Sequence, residues 1–453
     1  MASSISRREF LSKMGKSVTV GISAGLLSTT FTPYSVLGAN ESVNMAMIGC
    51  GGRGKVVVRG LIEEGANISY VCDVHQDRLD GAVELITNVQ GRKPKSTQDM
   101  RHIFDDTDVD AVLITTPDHW HALATIRACQ AEKDVYVEKP NSHNIWESLQ
   151  VIKAAKKYNR IVQVGTQNRS GNYNMAAREY INSGKLGDIH LVEVYNLKPG
   201  NSFYLGEQKS IPGGLDWDAW LGPAHKQQYY ERIFSGGWHH FWNFSGGDLA
   251  DDASHQLDLS LMLMGDPGMP KSISCSGGRL AHKGDDSEVP DVQMVSYQFD
   301  DYVLMLEHTD YPRYMQKTTN TIRRNDALPY WAQNATRIQI YGSDLLMYVG
   351  RHGGGWQVVT SGGEVVDQMY GRPPDRSHEA NFLECVKTRK RPNASAETLH
   401  PAISMLHMAN IAYRVGNQKL WFDAVNQNFM NNDQANKLFK RQYRKGYEIP
   451  ENI

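Results

Sequence analysis

The sequence predicts an α/β fold in two parts: an N-terminal doubly wound parallel sheet of the Rossmann kind, then a C-terminal α+β domain on an open, mostly antiparallel sheet. Three observations predict it. From about residue 42 to 165, short apolar strands alternate with helical patterns, which argues for a parallel sheet covered on both faces. Gly49-Cys50-Gly51-Gly52-Arg53-Gly54 stands between the first strand and the first helix. Beyond residue 166, strand-like runs follow one another with few helices between them, as in an antiparallel sheet. The 453 residues are about three times an ordinary domain, which fits two domains and terminal trimmings.

The elements follow in order. Residues 43–48 form a strand, and 55–64 carry a helix pattern. Residues 68–73 form a strand ending in Asp73. A strand over 109–115 precedes a helix over 121–132, and a strand over 134–137 precedes a helix over 145–158. The strand over 161–164 closes the first domain. In the second part, residues 166–423, strands are expected over 189–197, 272–276, 292–299, 302–308, 336–341 and 346–349, with a glycine-rich hairpin over 353–363. Helices over 247–264, 377–388 and 400–416 complete it. Residues 424–453 are polar and are expected to wrap the surface as a tail.

Residues 1–39 are read as an export signal and kept out of the fold. Ser6-Arg7-Arg8-Glu9-Phe10-Leu11 is followed by a weakly apolar run from Val18 to Phe31 and a small-residue end at Leu37-Gly38-Ala39. The order basic, apolar, small is that of a secretory signal, and the paired arginines resemble a twin-arginine signal. The apolar run is shorter than the ~20 residues of a membrane span. The expected location is the periplasm, with no membrane span in the mature chain. Twin-arginine export carries folded proteins, so it implies a cofactor loaded before export and held tightly.

Lys+Arg is 48 and Asp+Glu 50, a formal net charge of -2, which argues against a nucleic-acid partner. Cys50, Cys72, Cys129, Cys275 and Cys385 are odd in number and lack CxxC spacing, so they read as core residues rather than disulfides or metal ligands.

Gly49, Gly51 and Gly54 make G-x-G-x-x-G, with Gly52 and Arg53 inside it. The first glycine permits the turn, the second lets backbone approach a pyrophosphate, and the third packs helix on strand. The pyrophosphate would sit on the helix N-terminus. Asp73, about 20 residues on, would accept from a ribose 2′-hydroxyl and repel a 2′-phosphate, which favours NAD over NADP.

Thr115-Thr116-Pro117-Asp118-His119-Trp120-His121, with Glu138-Lys139-Pro140 and the glycine loop, resembles the Gfo/Idh/MocA oxidoreductases, the glucose–fructose oxidoreductase and inositol dehydrogenase group. The likeness extends through Gly165-Thr166-Gln167-Asn168-Arg169, Gly246-Gly247…Asp251…His255 and Ile340-Tyr341-Gly342-Ser343. It implies a cofactor site that also includes Thr116, Pro117, His119, His121, Glu138, Lys139 and Gln167. It implies a homo-oligomer, dimer or tetramer, that covers the open sheet face. It also implies a cis bond before Pro140.

Within 246–258, residues three and four apart share a helix face. Asp248, Asp251, His255 and Asp258 would form one polar stripe, and Leu249, Ala253, Leu257 and Leu261 an apolar one. A histidine among carboxylates suits acid/base work near neutral pH. The family's catalytic residues fall on Lys139, Asp251 and His255: His255 as acid/base, Asp251 orienting it, Lys139 holding the reacting oxygen. Trp120, Arg169, Trp238, His239 and Trp242 are expected to contact a sugar, with Tyr195 and Lys198 as further candidates. No metal is expected, since adjacent His239 and His240 on an extended segment point opposite ways.

The expected function is that of an exported NAD-dependent sugar or glycoside oxidoreductase, transferring a hydride from a ring hydroxyl, C3 among the options, to a non-exchanging cofactor. One alternative is a redox-neutral NAD-dependent glycosidase resembling glycoside hydrolase family 109. The resemblance implies an apolar residue there in place of Lys139. The other alternative is a cofactor-bearing sugar-binding protein without turnover.

Overall fold

The computed structural model describes residues 42–311 and 313–453. The export signal expected over 1–39 lies outside the described residues. The first sheet holds β1 (Asn44–Ile48), β2 (Asn67–Cys72), β3 (Lys95–Thr97), β4 (Ala111–Ile114), β5 (Asp134–Val137) and β6 (Val162–Val164). Helices α1 (Gly52–Glu63), α2 (Gln76–Gln90), α3 (Asp118–Gln130) and α4 (Ile145–Lys157) connect them. Every residue of β4 and β5 is buried, which is why these strands read as continuous apolar runs rather than alternating ones. The spatial order is β3-β2-β1-β4-β5-β6 with every pair parallel.

The strand order reverses between β1 and β4, and the crevice beyond their carboxyl ends is where such sheets bind ligands. Gly49 turns the chain there with φ +93°. A Cβ at Gly49 would stand 2.7 Å from the carbonyl carbon and oxygen of Thr115. Gly49→Ala is therefore expected to destabilise the fold by about 1–2 kcal/mol from the left-handed backbone alone, and more from the clash. Thermal unfolding checks this; an unchanged melting temperature would refute the close approach.

The second sheet has ten strands: β7 (Leu191–Leu197), β8 (Ser272–Gly278), β9 (Val292–Gln298), β10 (Val303–Thr309), β11 (Arg337–Tyr341), β12 (Leu346–Gly350), β13 (Trp356–Val359), β14 (Val365–Met369), β15 (Leu420–Asp423) and β16 (Asn428–Phe429). It is antiparallel except for β7 beside β10. Burial alternates along β9 and β10, so one face is covered and the other half open.

The covered face meets α5 (Gly247–Asp251), α6 (Ala253–Leu263) and α8 (Ala396–Arg414); α7 (Asp375–Thr388) lies toward the first sheet. The single helix expected over 247–264 is interrupted at Asp252 into α5 and α6. All of α6 is buried, polar residues included, because it is packed on every side.

Helix α8 ties both sheets to the site. His400 Nδ1 lies 2.9 Å from Ser148 Oγ, and His407 Nε2 lies 3.1 Å from the carbonyl of Ser142. Tyr297 donates to the carbonyl of Met405 (2.9 Å), and Asn410 donates to that of Gly246 (2.8 Å). The last residues also return to the first sheet: Arg441 donates to buried Glu147 (2.9 Å) and to the carbonyl of His119 (2.7 Å). The five cysteines are free and buried.

Candidate active site

A cleft runs along the carboxyl ends of β1 and β4, and two cavities make it up. The first, of about 520 Å³, is lined by the glycine loop, Asp73, Thr116, Pro117 and Trp220. A Cβ built on Gly51 or Gly52 meets nothing within 4 Å, so the space above the loop is open. Gly51 caps α1 with no side chain, which leaves the first-turn N–H groups for an anion. Asp73 accepts from the N–H of Cys50 (2.6 Å) and of His75 (2.9 Å). These bonds fix its carboxylate at the cavity wall and leave lone pairs for a hydroxyl. Burial pushes the Asp73 carboxyl up, against these hydrogen bonds. Open backbone, a free helix N-terminus and a fixed acid fit a dinucleotide.

The second cavity, of about 510 Å³, is lined by Lys139, Asp118, Asp251, His255 and Gln167. It shares Arg53, Thr115, Thr116, Trp238 and His239 with the first. Lys139 follows β5 and precedes a cis Pro140. Its ammonium pairs with the Asp251 carboxylate and donates to the Asp251 carbonyl (2.9 Å). Burial disfavours the charge, but Asp251, Glu138 and Asp118 outweigh it and hold the lysine above its ordinary range. Burial would raise Asp251, yet Lys139 pulls it well below the carboxylate range.

His255 opens into the same cavity. Burial, then Arg351 and Lys139, push its imidazole well below 6.5, so it is neutral at pH 7. The expectation that Asp251 orients His255 is corrected: Asp251 is turned to Lys139, and Asp252 is the acid beside the imidazole. Asp252 in turn pairs with Arg351 (3.0 Å) and Lys198 (3.1 Å).

Other expected residues divide. Arg53 lies in both cavities but gives its Nε to Glu138 (2.7 Å), bridging the glycine loop to Glu138-Lys139-Pro140. His121 lies in the wall, its ring nitrogens 2.6 Å from the Pro140 carbonyl and 2.7 Å from that of Thr116. Gln167 lines the reaction cavity and donates to Tyr136 (3.2 Å). Trp238 and His239 line both cavities.

His119, Trp120, Arg169 and Trp242 do not stand where the sequence reading put them. His119 is fully buried, with Nε2 3.0 Å from the Trp220 carbonyl and its ring against Trp220 and Phe244. It has turned into an aromatic cluster, away from the cleft. Trp120 donates to the same carbonyl (3.0 Å) and backs the nucleotide cavity, not the sugar side. Arg169 is buried on Asp258 and Asp266 (2.7 Å each), because β6 leads its turn onto α6 rather than into the cleft. Trp242 lies under Arg414, 5.1 Å from its guanidinium, outside both cavities. Tyr195 donates to Glu193 (2.7 Å), and Lys198 pairs with Asp248 (2.6 Å).

Asp118 is a site residue that sequence reasoning missed. It accepts from Ser245 (2.7 Å), is 3% exposed, and lines the reaction cavity. Burial, then Asp251, push its carboxyl up to about 8. At the start of α3 an acid reads as a dipole partner, and that reading hid it. Arg351 and His352, from the loop after β12, and Arg323, from a short helix over Asn320–Arg324, complete the far wall, and no motif marks them.

Among the described residues, Asp248, His308 and Asp310 bring donor atoms within 4.8 Å of one another. Lys198 already occupies Asp248. Asn196 donates to Nδ1 of His308 (3.0 Å), which puts the ring proton on Nε2. This is a hydrogen-bonded ion-pair cluster, not an open set of ligands.

Fold and cleft together define an oxidoreductase that works with a bound dinucleotide. Residues 43–166 match the oxidoreductase family with an NAD-binding Rossmann fold, and residues 201–313 and 351–449 match its C-terminal alpha/beta domain. The chain belongs to the Gfo/Idh/MocA oxidoreductase family. Among curated relatives, an alpha-N-acetylgalactosaminidase of Shewanella oneidensis is 28% identical over 203 residues, 41% of this chain and 44% of that protein. An uncharacterized oxidoreductase of Streptococcus pneumoniae is 27% identical over 244 residues, 54% of this chain and 55% of that one. The chain thus spans about half the length of these relatives.

Among solved structures, levoglucosan dehydrogenase in complex with NADH and levoglucosan superposes with a TM-score of 0.61 at 18% identity, covering 84% of this chain and 99% of that one. Aldose-aldose oxidoreductase from Caulobacter crescentus gives 0.61 at 18% identity, covering 84% and 100%. These likenesses concern the fold.

Proposed function

We propose that the protein oxidises a ring hydroxyl of a sugar or glycoside with NAD held in the cleft. One observation carries the reading: Lys139 and His255, from different parts of the chain, open into one cavity that adjoins the nucleotide cavity. When bound, NAD supplies the hydride acceptor. Neutral His255 takes the hydroxyl proton. Lys139 donates to the same oxygen and stabilises its growing negative charge. Asp251 holds the ammonium in place from the other side, and Trp238 offers an aromatic face to the sugar. Levoglucosan dehydrogenase and aldose-aldose oxidoreductase, which share the fold, are named for sugar substrates, which supports the substrate class.

The test is direct. The purified protein, given glycosides without added NAD, is expected to show reduced-nicotinamide absorbance that stops after one turnover. Mass spectrometry after denaturation is expected to find NAD. The export signal proposed for residues 1–39 would explain such retention, since a periplasm offers little soluble cofactor. In the same proposal the half-open sheet face closes in a dimer or tetramer, which light scattering reads.

A second reading has one specific support, the alpha-N-acetylgalactosaminidase relative. A redox-neutral glycosidase would release aglycone continuously with no lasting reduction. Lys139 favours net oxidation.

The pH profile follows from the site. The His255 base stays deprotonated well below pH 6.5, so the reduction rate is expected to hold level from about pH 6.5 to 8. Asp118 ionises near 8 and adds a negative charge beside Lys139, so the rate is expected to change above that pH. Asp118→Asn should remove this upper limb and leave the level range unchanged. Pre-steady-state reduction across pH 5–10 checks it, and an upper limb kept by the variant would refute the assignment.

A further inference from the structure

A third chamber, of about 800 Å³, adjoins the reaction cavity and shares His239 and Asp251 with it. It is larger than the reaction cavity and within the range of ligand pockets. On its deep side Asp248 stands one helical turn before Asp251, so the two carboxylates follow one another along α5. Lys198 donates to Asp248 (2.8 Å), and both Lys198 and Lys317 pair with Asp252 (3.1 Å each). Asp310 faces Asp248 across the chamber wall, and burial with that neighbour pushes it up to about 8. Charges compensated in this way present donors and acceptors to hydroxyl groups without demanding a charged ligand. Phe203 and His240, stacked with centroids 4.3 Å apart, add an apolar patch. Asn201 and Gln316 stand exposed in its wall, and Arg232 and Arg313 are exposed too.

We propose that the substrate is a glycoside of at least two units, with one ring in the reaction cavity and a second, hydroxyl-rich sugar unit in this chamber beyond Asp251 and His239. The inference rests on the oxidoreductase reading and narrows its substrate class. A free monosaccharide would fill only the first cavity, and the paired charges of the second would remain with water. A single molecule can reach both because His239 and Asp251 belong to both walls.

The test uses the full-length holoenzyme. Reduction of bound cofactor is followed with glucose and galactose against cellobiose, maltose and lactose. At least one disaccharide is expected to half-saturate at a concentration tenfold or more below its monosaccharide. Asn201→Trp and Gln316→Trp, each filling the chamber from an exposed position, are expected to remove that advantage and leave the monosaccharides unchanged. Equal saturation by both classes, or variants that shift both alike, would overturn the proposal. If no sugar reduces the cofactor, the oxidation reading fails by itself, and calorimetry of the same disaccharides decides the chamber. Binding that the tryptophan variants abolish would support it, and no binding would overturn it.

Discussion

Lys139→Met is expected to lower the rate of cofactor reduction by about 10²–10³-fold or more, the range seen when a donor to a developing oxyanion is removed. The ammonium is held by Asp251 with Glu138 and Asp118 close by, whereas Arg53 and Arg351, in the same cavity, are tied to Glu138 and Asp252. The same change leaves the Asp251 carboxylate without its counter-charge. Both partners are largely buried, with side chains 14% and 27% exposed. Breaking such a pair from one side costs about 3–5 kcal/mol when fully desolvated, and somewhat less here. Stability loss and rate loss are therefore mixed in the single variant. Lys139→Met with Asp251→Asn separates them: it should recover most of the melting temperature and none of the rate. Rapid-mixing absorbance and thermal unfolding read the two. A double variant that regains activity would remove Lys139 from the chemistry.

Arg169→Met is expected to produce the largest loss of stability, about 3–5 kcal/mol, because it strands the buried Asp258. Arg169 is 4% exposed and Asp258 is fully buried. Burial pushes Asp258 up and Arg169 pulls it back, so part of the loss should be relieved when the stranded acid takes a proton. Urea unfolding of the variant at pH 7 and pH 5 checks both statements. Sugar half-saturation should stay unchanged in whatever fraction folds. A stable variant with weakened saturation would instead restore the sugar-contact role expected from sequence.

The two residues show where sequence reading succeeds and where it stops. Lys139 is legible because Glu138-Lys139-Pro140 is a local pattern at the end of a strand, and its backbone path decides where the ammonium goes. Arg169 also follows a strand, β6, but its long side chain swings onto Asp258 and Asp266, whose places depend on how α6 packs. Asp251 and His255 lie four apart and, as that spacing implies, line one cavity. Which acid serves which cation is a tertiary matter: Asp251 goes to Lys139 and its neighbour Asp252 to Arg351. His119 and His121 lie two apart on α3 and therefore on different sides, yet only the packed Trp220–Phe244 cluster tells which side is the cleft.

By itself the sequence determined the parallel sheet, the turn at Gly49 and the mostly antiparallel second sheet, together with the lysine and imidazole that face one cavity. These depend on periodicity, glycine conformation and strand ends, which act over a few neighbouring residues. Only the tertiary structure decided which carboxylate serves Lys139, that Asp118 belongs to the site, that Arg169 is a buried tie, and that a further chamber opens beyond Asp251. Those outcomes are set by desolvation and ion pairing between segments more than a hundred residues apart in some cases, as in Lys139 with Asp251, and no local pattern records such pairings.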